Sequence, residues 1–224
     1  MSDGPFVTSW SGGKDSALAF HRLKRAGVPP LAILNVLDEN GTRTRSHGLR
    51  PEVLRAQADA LGMPLWTANA SWASYEVEFT ALLTRAARTG ASTAVFGDID
   101  LQAHRDWEEQ VCAAAGIIPA LPLWLEPRRA LVDELLDSGF RALIVAVRED
   151  ALPADLLGRE LDAGLVQEIE AHGADACGEN GEYHTVVVHG PDFAHLLKLV
   201  PGPLGIHHTG EGSLRVATLD LVLG

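Results

Sequence analysis

Cysteine, positive charge and long apolar segments are all scarce in this 224-residue chain. Its two cysteines, Cys112 and Cys177, form no C-x-x-C pair, so a zinc ribbon, a cysteine-bound cluster and a disulfide framework are poorly supported. A formal net charge of -12 argues against extended contact with RNA or DNA, which requires a basic face. No segment approaches the length of a membrane span, and the N-terminus lacks the pattern of a targeting leader. We therefore expect a cytoplasmic protein with no nucleic-acid or membrane partner.

Two common nucleotide-binding motifs are also absent. The phosphate-binding loop G-x-x-x-x-G-K-[ST] requires Gly five residues before Gly13 and Ser or Thr directly after Lys14, and the chain has Thr8 and Asp15 at these positions. The dinucleotide fingerprint G-x-G-x-x-G does not occur either. The sequence therefore does not indicate either of these two nucleotide sites.

The N-terminal region does contain the hexamer Ser11-Gly12-Gly13-Lys14-Asp15-Ser16, which lies between a short apolar strand and an amphipathic helix. Free N-H groups at a helix N-terminus, the positive end of the helix dipole, two glycines and a lysine together favour binding of a polyanion. The alternative is a Gly-Ser turn that only caps the helix. The position of the whole hexamer between strand and helix favours the anion site.

Apolar runs and helical periodicity alternate along the first half of the chain, which predicts an α/β fold with a doubly wound parallel sheet. After the first strand and helix we predict strands over 31–37, 63–68 and 93–96 and helices over 50–61, 72–88 and 102–115. Prolines interrupt this rhythm near residue 120, so we place one domain at 1–120 and a smaller C-terminal α+β domain at 121–224. There we predict helices over 128–138 and 160–172, strands over 140–147, 183–189 and 214–223, and a Gly-, Pro- and His-rich stretch over 201–212.

Ligands of such sheets bind at the carboxyl ends of the strands, so polar residues in the following loops are candidates for a site. Gly97-Asp98 follows the fourth strand, and His47 lies in the loop after the second. Arg105 and Glu109 are four residues apart on the next helix, where they can hold a ligand or form a solvated pair with each other.

A second polar cluster, Cys177-Gly178-Glu179-Asn180-Gly181-Glu182-Tyr183-His184-Thr185, precedes a strand of the C-terminal region. A hairpin turn explains Asn180-Gly181 but not the density of hydrogen-bonding groups beside it. On these residues alone, a turn and a ligand site remain equally open. His207-His208 has no suitably spaced partners and is weak evidence for a metal site.

These motifs together resemble the diphthine-ammonia ligase family of ATP-pyrophosphatase-loop enzymes. The resemblance spans nearly the whole chain and rests on S-G-G-K-D-S at 11–16, G-D-I at 97–99, Arg105, Glu109 and Cys112, P-L-W at 122–124, and C-G-E-N-G-E-Y-H-T at 177–185. It implies an adenine nucleotide alpha-hydrolase-like N-terminal domain and a smaller C-terminal domain that closes over it. The family joins ammonia to the carboxylate of diphthine at the expense of ATP. One departure is Trp107, where archaeal and eukaryotic members tend to carry a second Arg.

We expect the substrate carboxylate to attack the α-phosphorus of ATP, pyrophosphate to leave, and ammonia or an amine to displace AMP. The residues expected to bind ATP are Ser9, Ser11, Gly12, Gly13, Lys14, Asp15, Ser16, Val36, Gly97 and Asp98, with Asp15 also placing Mg2+. The residues expected to bind the acceptor are His47, Arg105, Glu109, Glu179, Asn180, Glu182 and His184. The residues expected to be catalytic are Lys14, Asp15, Arg105 and His184, and we expect His184 to accept a proton from the incoming amine.

Two other functions remain open at this stage. A regulatory module could bind ATP or AMP without turnover, although this leaves the polar cluster at 177–185 unexplained. A tRNA-modifying enzyme could use the same loop, but the net charge and the missing C-x-x-C count against it. The acceptor acid is not identified by the sequence, and a homodimer remains open.

Overall fold

A five-stranded parallel sheet forms the N-terminal half of the chain in the computed structural model, which describes residues 4–45, 47–209 and 214–224. Its strands are β1 (Phe6–Ser9), β2 (Pro30–Leu37), β3 (Leu65–Asn69), β4 (Thr93–Val95) and β5 (Ile118–Ala120). Their order is β3-β2-β1-β4-β5, and all four pairings are parallel. The order reverses between β1 and β4, which is the position where doubly wound sheets bind ligands.

Four helices cover the two faces of this sheet. They are α1 (Lys14–Arg25), α2 (Pro51–Leu61), α3 (Tyr75–Arg88) and α4 (Gln102–Ala115). One face is packed by α1 and α2, whose Phe20 and Leu54 are fully buried. The other face is packed by α3 and α4 through Phe79 and Val111. Because both faces are covered, β2 is an almost continuous apolar run, as is usual for a central parallel strand.

The C-terminal half contains a second, antiparallel sheet. Its strands are β6 (Arg141–Arg148), β7 (Tyr183–His189), β8 (Leu199–Thr209) and β9 (Leu214–Leu223), in the order β7-β6-β9-β8. The helices of this half are α5 (Arg128–Asp137), a 3-10 turn (Ala154–Leu156) and α6 (Ala163–Ala171). Across the described residues, no helix is both long and apolar enough to cross a membrane.

The two sheets share one core and are joined by ion pairs. Apolar side chains of α1 and α2 belong to the same buried cluster as those of β6 and β7. Asp220 on β9 accepts hydrogen bonds from Arg43 at 2.6 Å and Arg50 at 2.5 Å, and these guanidinium groups hold its pKa well below the usual range despite the opposing effect of burial. Asp192 pairs with His21 and Lys24 of α1. The C-terminal sheet is therefore fixed against α1 and α2.

The predicted α/β fold with a doubly wound parallel sheet and a smaller α+β region is confirmed. Two strands were not predicted. The first is β5, which is only three residues long and includes Pro119. It was not predicted because the prolines near residue 120 were interpreted as the boundary between the two regions. The second is β8, which overlaps the stretch described above only as rich in Gly, Pro and His. Pro201 and Pro203 are tolerated there because β8 is the edge strand. His207 lies in β8, and the side chain of His208 is outside the described part of the structure.

Candidate active site

A cavity of about 480 Å³ opens between the two sheets, at the carboxyl ends of β1 and β4. It is bordered on one side by the loop 11–16 and by Gly97-Asp98, and on the other by residues 177–185. These segments are far apart in sequence. The parallel sheet presents the first two, and β7 of the antiparallel sheet carries the third to the same place.

The loop 11–16 turns tightly from β1 into the first turn of α1. Gly12 has a φ of 88°, a backbone conformation that residues other than glycine rarely adopt. The Ser16 hydroxyl donates to the carbonyl of Gly13 at 3.0 Å, and the Gly13 N-H donates to the Ser11 hydroxyl at 3.3 Å. Gly97 lies directly against this turn, since a Cβ on it would stand 2.7 Å from the Ser16 nitrogen. The helix N-terminus therefore faces the cavity and is packed closely by β4.

Lys14 is the buried cation of the site. Only 5% of the residue is exposed, and its Nζ lies 2.7 Å from Asp15 Oδ2 and 5.5 Å from the centre of the Tyr183 ring. Burial alone lowers the pKa of Lys14, but Asp15 and the neighbouring acidic groups outweigh it and raise this pKa above its ordinary value. Lys14 is therefore charged at neutral pH and points positive charge into the cavity.

Hydrogen bonds attach this loop directly to β7. The Lys14 N-H donates to Thr185 Oγ1 at 3.1 Å, and the Val187 N-H donates to the Gly12 carbonyl at 2.9 Å. The buried amide of Gln57 donates to the carbonyls of both Gly12 and Val187, at 2.9 and 2.8 Å. The position of β7 is thus fixed relative to the loop by main-chain and side-chain bonds.

Two stacked imidazoles, His47 and His184, form the wall next to Lys14. Their ring centres are 4.7 Å apart with an interplanar angle of 25°. Burial, followed by the charge of Lys14, lowers the pKa of His184 to about 4. Burial and the neighbouring His184 lower the pKa of His47 well below its ordinary value. Both rings are therefore neutral at pH 7.

The segment 177–185 contains two carboxylates with different surroundings. Glu179 lines the cavity, and burial together with the nearby Asp15 raises its pKa to about 7. Glu182 is 5% exposed and accepts hydrogen bonds from the Asp175 N-H at 3.2 Å and from the Asn180 N-H and side-chain amide, each at 3.0 Å. Glu179 is therefore free to meet a ligand, whereas Glu182 and Asn180 hold the turn.

A hydrogen-bonded carboxyl pair lies on the opposite wall. Asp98 accepts from His104 Nδ1 at 2.7 Å and shares a hydrogen bond with Glu108. Burial acts to raise the pKa of Asp98, but these bonds outweigh it and keep this pKa below its usual value. Burial and the bond to Asp98 raise the pKa of Glu108 to about 10. At neutral pH, Glu108 is therefore a protonated acid beside an ionised Asp98.

The structure brings most of the residues singled out by sequence to the cavity wall. Those that line it are Ser9, Ser11, Lys14, Asp15, Ser16, His47, Gly97, Asp98, Glu179 and His184. Gly12 and Gly13 shape the loop behind the wall, and Val36 is buried in the sheet core.

Four of the residues predicted to bind the acceptor, namely Arg105, Glu109, Asn180 and Glu182, do not line this wall either. Arg105 donates to Glu109 at 2.8 Å on the outer face of α4, with its guanidinium 5.1 Å from the centre of the Trp124 ring. The side chains of Arg105 and Glu109 are 39% and 48% exposed, so the two residues form a solvated i,i+4 pair with each other. Asn180 and Glu182 make the turn contacts described above.

Sequence reasoning missed several residues of the wall. Glu108 was given no role, and Tyr183 was named only as a member of the cluster 177–185, although both are buried and line the cavity. An aromatic surface formed by Trp72, Tyr75 and Trp107 was also missed. The spacing of these three residues on and before α3 and on α4 carries no motif, because the surface exists only after the two helices pack together.

The thiol of Cys177 is buried and hydrogen-bonded. Its Sγ donates to the carbonyl of Arg128 at 2.9 Å, and burial raises the pKa of the thiol to about 12. Cys112 is buried as well, and burial also raises its pKa to about 12. Within the described residues, no group of three or more His, Cys, Asp or Glu side chains is arranged to hold a metal ion.

Comparison with known protein families gives two matches that together cover most of the chain. The profile of the diphthamide synthase N-terminal domain matches residues 6–119, and that of the diphthamide synthase C-terminal domain matches residues 127–216.

Curated relatives include three proteins named diphthine--ammonia ligase. The one from Danio rerio is 26% identical over 211 residues, which are 82% of this chain and 81% of that protein. The one from Schizosaccharomyces pombe is 24% identical over 90% of this chain and 37% of its own length, and the one from Mus musculus is 29% identical over 50% of this chain and 43% of its own. The chain thus matches less than half of the fission yeast and mouse proteins.

Among solved structures, this chain is similar to one described as a predicted subunit of tRNA methyltransferase from Methanocaldococcus jannaschii. The identity is 16%, the TM-score is 0.46, and the match covers 84% of this chain and 98% of that one.

Proposed function

The chain belongs to the diphthamide synthase family, and from that premise we propose that it is an ATP-dependent, AMP-forming ligase. In this proposal a substrate carboxylate attacks the α-phosphorus of ATP, pyrophosphate leaves, and ammonia or an amine takes the place of AMP. The observation that carries the proposal is that residues of the loop 11–16 and residues of the segment 177–185 line the same cavity.

The residues of the loop suit a departing pyrophosphate. The first turn of α1 offers backbone N-H groups and a helix dipole to an anion, and the buried ammonium of Lys14 adds a full positive charge. Gly97 leaves no room for a side chain, so the chain after β4 packs directly against the backbone of this turn. We propose that Ser11, Ser16 and Lys14 hold the pyrophosphate, with Ser9, Gly97 and Asp98 bordering the rest of the nucleotide.

The donor groups also suit Mg2+ delivered with a nucleotide. Asp15 offers a single carboxylate beside the anion site, and Mg2+ commonly uses one or two carboxylates while phosphates and water complete its octahedron. Mg2+ would neutralise the charge that develops on the leaving pyrophosphate. Because Asp15 is already paired with Lys14 at 2.7 Å, its side chain is held close to where this charge develops.

We assign proton transfer from the incoming amine to Glu179. A base works best when its pKa lies near the operating pH, and burial with nearby acids raises the pKa of Glu179 to about 7. His184, the base expected from sequence, has a pKa lowered to about 4 and is a much weaker base. The neutral His184 and His47 rings would instead shape the wall against the acceptor without adding charge.

We also propose that the two regions of the chain bind different substrates. Residues 1–120 would bind ATP, and residues 121–224 would present the acceptor and the nitrogen donor. The names of the relatives make diphthine the first acceptor to test, with other carboxylates as alternatives. We propose no nucleic-acid partner and a cytoplasmic setting, where ATP is available.

The proposal is tested by product analysis. The purified chain is incubated with ATP, Mg2+, ammonium and a panel of carboxylic acids that includes a diphthine-containing peptide, and the nucleotides are separated by chromatography. We expect AMP and pyrophosphate in equal amounts over many turnovers, with sustained turnover only when acid and ammonium are both present. Formation of ADP and phosphate, or nucleotide binding without any turnover across the panel, would contradict an AMP-forming ligase.

A further inference from the structure

Arg128, the first residue of α5, connects two segments that border the cavity on different sides. Its Nε and Nη2 donate to the two carboxylate oxygens of Asp100, each at 2.8 Å, and its Nη1 donates to Asp175 at 2.7 Å. Asp100 lies in the loop after β4, two residues beyond the cavity-lining Asp98, and Asp175 lies just ahead of the segment 177–185. Arg128 does not itself line the cavity. Its guanidinium therefore bonds the two sides together without facing a ligand.

Asp175 connects Arg128 to Glu179, which lines the cavity. The Asp175 Oδ2 that accepts from Arg128 also accepts from the Glu179 N-H at 3.0 Å, and Oδ1 accepts from the Cys177 N-H at 3.2 Å. The carbonyl of Arg128 accepts from the Cys177 thiol at 2.9 Å. The start of the segment 177–185 is therefore attached to Arg128 twice, once through Asp175 and once directly.

The geometry of these bonds restricts Arg128 to one orientation. A bidentate pair with a carboxylate fixes the plane of a guanidinium, and a third nitrogen bonded to another carboxylate leaves it little freedom. The side chains of Arg128, Asp100 and Asp175 are 28%, 34% and 11% exposed, so the bonds are partly shielded from solvent. Arg128 can therefore fix the position of Asp175, and with it the backbone at Glu179, relative to the loop after β4.

We propose that Arg128 is a positioning residue that holds Glu179, through Asp175, in place to take a proton from the incoming amine. In this step the amine nitrogen forms the bond to the acyl carbon of the adenylate, its proton passes to the Glu179 carboxylate, and AMP leaves with the bonding electron pair. The role deepens the proposed function and rests on it for the identity of the base. Displacement of a reacting group by about 1 Å can slow a reaction about 100-fold, so loss of the attachment should be visible in the rate.

The kinetic test places Arg128→Met in the natural chain and in Glu179→Gln. The rate of AMP formation is measured by nucleotide chromatography, and the affinity for α,β-methylene-ATP by equilibrium titration. In the natural chain we expect kcat to fall at least about tenfold, with nucleotide affinity unchanged within about twofold. In Glu179→Gln the same substitution should slow the rate less than about twofold further, because Arg128 acts through Glu179. Equal losses in both backgrounds would indicate a general structural role and overturn the proposal.

Arg128→Lys separates the geometry of the guanidinium from its charge. The charge of Arg128 acts to lower the pKa of Glu179, against burial and Asp15, which raise this pKa to about 7. Lysine keeps the charge but lacks the planar group that bonds Asp100 bidentately. We expect Arg128→Lys to remain at least about fivefold slower than the natural chain. Full activity would assign the effect to charge alone and contradict the proposal.

Asp100→Asn provides a second variant should Arg128→Met fail to fold. It keeps the shape of the side chain but places an NH2 group against one of the two donors of Arg128. We expect kcat to fall at least about threefold in the natural chain and to stay unchanged in Glu179→Gln. An unchanged kcat in the natural chain would overturn the proposal.

Hydrogen exchange tests the attachment without turnover. Peptides that cover residues 175–182 are followed by mass spectrometry in the natural chain and in Arg128→Met. The N-H groups of Cys177 and Glu179 donate to Asp175, so they should exchange at least about tenfold faster once Asp175 loses Arg128. Unchanged exchange would overturn the proposal even if the ligase assay succeeds. Faster exchange in a chain that forms no AMP would contradict the proposed function and leave the attachment standing.

The matched control for both experiments is Arg129→Met. Arg129 follows Arg128 on α5 and also bonds two carboxylates, those of Asp133 and Glu170, but none of these three residues lines the cavity. The rate of AMP formation and the exchange of residues 175–182 should match those of the natural chain. Losses equal to those of Arg128→Met would show that any cation on α5 has the same effect, and would contradict a specific role for Arg128.

Discussion

The loop 11–16 and the segment 177–185 face each other across the cavity but are built in different ways. The loop depends on neighbours in sequence: β1 ends at Ser9, α1 begins at Lys14, and the intervening turn follows from that arrangement. The segment depends on residues distant in sequence, since Thr185 accepts from the Lys14 N-H of the loop and the Cys177 thiol donates to the Arg128 carbonyl. One region is therefore specified locally and the other by tertiary structure.

Because of this difference, the sequence motif is a better guide to the position of the polar side chains in the loop than in the segment. In the loop, the side chains of Ser11, Lys14, Asp15 and Ser16 all line the cavity, because they lie together at the N-terminus of α1. In the segment, neighbouring residues diverge: Glu179 faces the cavity, whereas Glu182, three positions later, satisfies the donors of the turn. Density of polar groups alone does not separate ligand contacts from structural ones.

The largest effect is expected from Lys14→Met. Loss of the buried ammonium removes the charge that offsets pyrophosphate, so AMP formation should fall about 1000-fold. The rate is measured by nucleotide chromatography. Lys24→Met is the matched control, because Lys24 is on the same helix, is 41% exposed and pairs with Asp192 away from the cavity. Equal rates for the two variants would remove Lys14 from its proposed role.

Glu179→Gln should have the next largest effect. If Glu179 is the base, it must be ionised to act, so the AMP-forming rate of the natural chain, compared at equal concentrations of free ammonia, should rise with pH and level off above about 7. The variant should be about 100-fold slower and should lack this rise. The measurement is the pH dependence of the rate between pH 5.5 and about 8.5. A variant that keeps the same pH profile would show that another group titrates.

Glu182→Gln should affect stability more than chemistry. The carboxylate of Glu182 accepts hydrogen bonds from the backbone and side-chain N-H groups of Asn180, and the side-chain NH2 of a glutamine would face these donors instead. The free energy of unfolding should therefore fall by about 1–3 kcal/mol. Burial acts to raise the pKa of Glu182, but these bonds lower it below 4.5, so their contribution is present above that pH and is lost as pH falls.

Denaturant titration at pH 7 and at pH 4 measures this difference. Glu170→Gln is the control, since an exposed ion pair such as that between Glu170 and Arg129 contributes little to stability. If Glu182→Gln keeps full stability but loses turnover, Glu182 belongs to the site and not to the turn.

The smallest effect is expected from Arg105→Ala. Arg105 and Glu109 form an exposed pair on α4, so both the unfolding free energy, within about 0.5 kcal/mol, and the rate, within about twofold, should stay unchanged. Rates and denaturant midpoints are compared with those of the natural chain. A loss of tenfold or more in rate would return Arg105 to the list of ligand-binding residues.

Much of the fold follows from local sequence signals, and the bounds of α4, β7 and β9 agree with their patterns. Strand β5 could not be predicted, because a three-residue strand has no periodicity and its place is set by pairing with β4. Strand β8 could not be predicted either, because its prolines and glycines are compatible with a strand only at the edge of a sheet.

Prediction of the site is limited in the same way, because some of its residues reach the cavity only through tertiary packing. Lys14, Asp15 and Asp98 were identifiable because motif and strand order bring them to one edge of the sheet. Glu108 and Glu109 are adjacent on α4, yet one is buried against Asp98 and the other is 48% exposed. Which of the two carboxyls is buried depends on how α4 packs against the sheet and α3, and sequence spacing carries no information on that rotation.

The most direct test of the division between the two regions is the affinity for α,β-methylene-ATP, which cannot release pyrophosphate. Equilibrium titration compares the natural chain with Lys14→Met and Glu179→Gln. We predict that Glu179→Gln binds the analogue within about twofold of the natural chain while forming little AMP from ATP, and that Lys14→Met binds it at least about tenfold more weakly. Equal losses of nucleotide affinity in both variants would contradict the division.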